Sequence, residues 1–70
     1  MNFEERRAWV QFVRRIRQEL QWSLRELAAA MGTSQSTVCR WEDESLRGRT
    51  PTGAAKKALI ELARKHGLVE

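Results

Sequence analysis

The chain has no tyrosine, a single proline (Pro51), a single cysteine (Cys39) and a single histidine (His66) in 70 residues. One cysteine excludes an internal disulfide and any Cys-based zinc cluster, so the fold must hold by packing, and a cytoplasmic, reducing compartment suits it. His66 has no second His, Cys or paired carboxylate at ligand spacing, which leaves no metal site. No Ser/His/Asp or Cys/His arrangement, phosphate-binding glycine loop or catalytic carboxylate pair stands out, so no catalytic residue and no cofactor is expected, and the pattern argues against an enzyme. Long apolar runs are missing too: nothing approaches the roughly 18 residues of a membrane span. Glu4, Glu5, Arg6 and Arg7 occupy the place where a secretory signal needs an apolar stretch. Few residues are β-branched, which leaves strands little to build from.

What is abundant is Ala, Leu, Glu, Arg and Gln, the composition of helices. A chain of this length makes one domain, residues 1–70, that buries only about 60 % of its unfolded surface and therefore needs a tight all-α core. The net charge is +4, and ten of the thirteen basic residues are Arg, whose planar fork suits phosphate. The charge is uneven: residues 1–41 sum to +3, residues 42–46 to −3 and residues 47–70 to +4. A polyanionic partner fits this balance, although the charge alone is weak evidence for one.

Asn2 followed by Glu4 and Glu5 predicts a helix starting near Phe3 and ending between Glu19 and Gln21. Its apolar stripe is Trp9, Val10, Val13, Ile16 and Leu20, with Arg17 on the same side, and Arg6, Arg7, Arg14 and Arg15 left in water. A second helix opens at Leu24, because Ser23 and Glu26 have capping-box spacing and Trp22 stands ready to staple onto Leu27. Its inner face is Leu27, Ala28 and Met31, and Gly32 ends it. Ser34 then caps a third helix, Gln35 to Glu42, with Val38 and Trp41 turned inward. Thr50 followed by Pro51 predicts the start of a fourth helix, which runs to His66 and Gly67 with Ala55, Leu59, Leu62 and Ala63 inside. The three tryptophans fall at core or staple positions rather than at base-stacking ones.

Within residues 24–42 each constrained position has a steric reason. Ala28 is small where two helices cross closely, Gly32 permits the sharp corner, and Val38 with Trp41 pins the second helix of the pair onto the core. The polar residues left over point outward at about 100° per residue.

The run LRELAAAMGTSQSTVCRWE resembles the Cro and phage-repressor class of helix-turn-helix proteins, and the likeness extends from Ile16 to about Leu68. PTGAAKKALIELARKHG is similar, more loosely, to small antitoxin and prophage regulators. The resemblance implies a λ-repressor-like fold of four helices, five at most, with the helix Gln35–Glu42 entering a DNA major groove. On that face Gln35 and Arg40, then Ser36, are the base-reading candidates, since Gln pairs bidentately with adenine and Arg with guanine. Cys39 lies on the same face. Ser23, Arg25, Thr37, Arg47 and Arg49 are the phosphate candidates.

Two features depart from the family pattern. Leu24 stands where a phosphate-clamping Gln is common. Asp43 and Glu44 stand near an expected turn glycine, at a helix end that disfavours carboxylates, so the third helix is expected to run on toward Ser45. The resemblance also pairs Glu42 with Arg17, making both structural. The function it implies is a sequence-specific double-stranded DNA-binding regulator, acting as a homodimer that represses by occupying a palindromic operator, in the cytoplasm at the nucleoid. Two other classes fit the same residues: an interaction module for a toxin or the transcription machinery, and a non-specific nucleic-acid binder.

Overall fold

A computed structural model describes residues 3–43 and 48–68, and among them there are four α-helices and no strand. They are α1 (Phe3–Leu20), α2 (Leu24–Met31), α3 (Gln35–Trp41) and α4 (Gly53–Lys65). None is long and apolar enough to cross a membrane. Asn2, Glu44 to Arg47 and Val69 lie outside the described residues, and with them the expected first cap.

All four helices contribute to one apolar centre. Val13 and Ile16 come from α1, Leu27 and Ala28 from α2, Val38 and Trp41 from α3, and Leu59 and Ala63 from α4, all buried. The 3.6-residue period of each segment puts these side chains on one face, and full burial of a Leu, Ile or Val stabilises by about 1.5–3 kcal/mol. Trp9 and Trp22 flank this centre, half-buried. Trp9 packs edge-on against Phe12 at 5.5 Å, and the ammonium of Lys56 lies over its ring at 5.4 Å while pairing with Glu5 at 3.1 Å. This cluster fastens the start of α1 to α4. Trp22 meets the His66 ring edge-on at 5.6 Å, which docks the end of α4 beside the start of α2.

Three helices end alike. At α2, Gly32 takes a left-handed conformation (φ 68°), its amide donates to the Ala29 carbonyl, and the Thr33 amide donates to that of Ala28 at 2.9 Å. This pair of bonds is the Schellman closure. A Cβ at Gly32 would meet no atom within 4 Å, so backbone conformation rather than space calls for glycine. The same closure ends α4 at Gly67, with Leu68 donating to Ala63. It also ends α1, where Gln21 adopts φ 54° although it carries a side chain, and Trp22 donates to Arg17.

Two boundaries differ from those expected. The cap of α4 is Thr52, not Thr50: the Thr52 hydroxyl accepts from the Ala55 amide at 3.3 Å. Pro51 is buried in the position before the cap instead of opening the first turn, so the next hydroxyl along the chain does the capping. Likewise α3 does not continue toward Ser45. It stops at Trp41, where the Asp43 amide closes on the Arg40 carbonyl three residues back and the Arg49 amide joins it there.

Candidate nucleic-acid interface

The α2–α3 unit is built from local rules. The Ser23 hydroxyl accepts from the Glu26 amide at 3.1 Å, and the Ser23 amide donates to the Glu26 carboxylate at 3.1 Å, closing a reciprocal capping box. At α3 the Ser34 hydroxyl accepts from the Thr37 amide at 3.2 Å and bonds the Thr37 hydroxyl at 2.9 Å. With Gly32 and Thr33 as the corner, two short helices meet at a fixed angle. The small Ala28, 3 % exposed, lies at the centre of the unit.

Burial of Val38 and Trp41 dictates what α3 shows to solvent. Gln35, Ser36, Cys39 and Arg40 are all exposed. Together with Leu24 they line an open concavity of about 480 Å³ between the start of α2 and α3. Leu24, half-buried against the core, forms its apolar wall, in the place where a polar clamp was expected. Thr37 does not share this face. It is half-buried, its hydroxyl is bonded to Ser34, and it turns with Met31, Thr33 and Trp41 toward the first turn of α4, so it braces α3 rather than extending the outer surface.

The phosphate candidates divide in a similar way. Ser23 is exposed, but its hydroxyl and amide are both engaged with Glu26. Arg25 stands exposed beside it on the first turn of α2. Arg49 is anchored at the far end of α3, where its amide donates to the Arg40 carbonyl at 3.0 Å. The same oxygen accepts the Asp43 amide at 3.2 Å, so the connection after α3 leaves and returns at one atom. Arg47 lies outside the described residues.

The inner side of α3 is electrostatically closed. Glu42 is 8 % exposed, and the Arg17 guanidinium donates to both of its carboxylate oxygens at 2.9 Å, a fork-on-fork pair. Arg14 adds its Nε 3.8 Å from Oε1 and donates through Nη2 to the Glu42 carbonyl at 3.0 Å. Arg6 donates through Nη2 to the Asp43 carbonyl at 3.2 Å. The hydrogen bond to Glu42 holds the Arg17 guanidinium above its usual pKa, burial opposes this, and the carboxylate charge reinforces it. A raised folded-state value means that this contribution to stability is present at neutral and alkaline pH below the ordinary guanidinium range.

Arg6 and Arg14 were expected in water. Arg6 is half-buried, and both donate to main-chain carbonyls at the end of α3. Gly48 joins them, since a Cβ there would collide with the Asp43 carbonyl and the Arg6 guanidinium. The signal was present in the spacing: Arg6, Arg14 and Arg17 share one edge of α1, so a partner for Arg17 brings the other two within reach.

The arrangement is a helix with one face locked and the other offering an amide, a hydroxyl, a thiol and a guanidinium to solvent. The helix-turn-helix family model matches residues 13–67, well over half of the chain. Among curated proteins and among solved structures, nothing matches the chain.

Proposed function

This chain belongs to the Cro and phage-repressor class of helix-turn-helix DNA-binding regulators, and on that premise we propose that it is a sequence-specific repressor. It holds a palindromic operator as a homodimer, with α3 in the major groove. The observation that carries the reading is the division of α3. Val38, Trp41 and Glu42 are buried and fixed, while Gln35, Ser36 and Arg40 stand exposed around one concavity. A groove-reading helix needs one rigid face and one face of donors and acceptors.

Arg40 pairs with guanine O6 and N7, Gln35 with adenine N6 and N7, and Ser36 with a base or phosphate between them. Cys39 lets the backbone approach closely. Arg25, with the first turn of α2 that Ser23 fixes, and Arg49 grip phosphates on either side of α3. One such helix reads about four or five base pairs, whereas specific sites exceed non-specific ones by roughly 4–10 kcal/mol, so two half-sites about one helical turn apart are required.

Selection of preferred duplexes from random DNA, followed by salt-titrated binding, tests this. The expected product is a palindrome, and Arg40→Ala is expected to cost about 1–3 kcal/mol while relaxing one base position. Binding of all sequences alike would leave a non-specific binder. Absence of binding at low salt would leave an interaction module, and a single unpaired half-site would reject the dimer.

A further inference from the structure

We infer that Arg14 and Arg6 are positioning residues for base reading: from α1 they set the tilt of α3 without touching DNA. The inference rests on α3 being the reading helix. With seven residues, α3 is too short to hold its own geometry, and its core contacts are Val38 and Trp41, which share one face. Those two side chains decide which face is buried. Trp41, the last residue of α3, and the Arg17–Glu42 pair fix the depth of the C-terminal end, and its tilt along α1 is left to the main-chain carbonyls that follow.

The turn that closes that end presents the Glu42 and Asp43 carbonyls at the negative pole of the helix dipole. Arg14 donates to the Glu42 carbonyl at 3.0 Å and Arg6 to the adjacent Asp43 carbonyl at 3.2 Å. The two donors stem from points on α1 about 12 Å apart, at 1.5 Å of rise per residue. They converge on neighbouring oxygens from different points along α1, so the end of α3 cannot slide either way along it. The Arg17–Glu42 pair holds the same residue through its carboxylate. Arg40 sits in this braced turn, and its carbonyl accepts the amides of Asp43 and Arg49, so its side chain inherits the same registration.

Residual dipolar couplings of the wild type, Arg14→Gln and Arg6→Gln read the orientation of α3 against α1. Binding to the selected duplex and to a scrambled one reads the consequence. Arg7→Gln, an exposed change of equal charge on α1, is the control. In the two variants α3 is expected to tilt while α4 keeps its couplings. Affinity for the selected duplex falls about tenfold, because the end of α3 is no longer held in register before binding and the complex has to restore it. Affinity for the scrambled duplex follows the control, and Arg14→Lys, which keeps a donor for the carbonyl, recovers most of the loss. If Arg6→Gln unfolds, Arg6→Met, which keeps the apolar stem and removes the donor, is measured in its place against the same criteria. Couplings for α3 that superimpose on the wild type in both variants would overturn the inference. So would equal losses on both duplexes beyond the control, with a salt slope reduced by about 1, which would make these residues phosphate contacts. A wild type without any preferred duplex would end the DNA-reading proposal, while the couplings would still decide whether the brace exists.

Discussion

The two ends of α3 are built in opposite ways. Its N-terminal end is held by neighbours in sequence: the Ser34 hydroxyl bonds the amide and hydroxyl of Thr37, and Gln35 and Ser36 stay in solvent. Its C-terminal end is held by distant residues, with a buried carboxylate and two carbonyls facing three guanidiniums of α1. A helix exposed at one end for contact has to be gripped at the other, because seven residues cannot supply their own rigidity. The acidic Glu42, unfavourable at a helix C-terminus when considered alone, becomes favourable once α1 surrounds it with cations.

The comparison breaks most visibly at the gripped end. Arg17→Ala leaves Glu42 buried without its bidentate partner, and a loss of about 3 kcal/mol is expected from urea titration. This is a large share of the 5–15 kcal/mol typical of a whole domain. The same difference is expected at neutral and alkaline pH below the guanidinium range, since the raised Arg17 pKa keeps the pair charged throughout. A loss under about 1 kcal/mol would place this pair among ordinary surface bridges. Gly48→Ala forces a methyl group against the Asp43 carbonyl and Arg6, and should cost about 2 kcal/mol. In a domain of this size that lowers the melting temperature by roughly 10 °C, and an unchanged melting curve would show that the backbone at Gly48 yields freely. The smallest effect belongs to the locally held end. Ser34→Ala removes one cap, worth about 1 kcal/mol, and increased amide exchange confined to the first turn of α3 would separate it from the global losses above.

What was legible in the sequence follows the same division. Ser23 with Glu26, Gly32, Ser34 and the Val38–Trp41 pair depend on neighbours within a few residues, so local rules place them. Arg6 and Arg14 reach carbonyls 37 and 28 residues away, so their shared edge with Arg17 is readable in their own segment but the carbonyls they meet are not. Local rules pointed to Thr50 as the cap of the fourth helix, and Thr52 takes that place. The choice fell to the burial of Pro51, a tertiary fact. Gln21 occupies a left-handed position without the Gly or Asn that usually marks one. Of the outward face, Gln35, Ser36, Cys39 and Arg40 follow from helical period alone. Thr37 departs by the same period: four residues before the buried Trp41, it falls on the inner flank, where its hydroxyl bonds Ser34.

The Arg40 carbonyl closes the connection after α3 by accepting the amides of Asp43 and Arg49, and neither bond involves the Arg40 side chain. Whatever residue stands at position 40, glycine and proline aside, can keep that closure. Under the proposed reading, a substitution there can change the preferred site without loosening the fold, so position 40 separates what the domain would read from what holds it together.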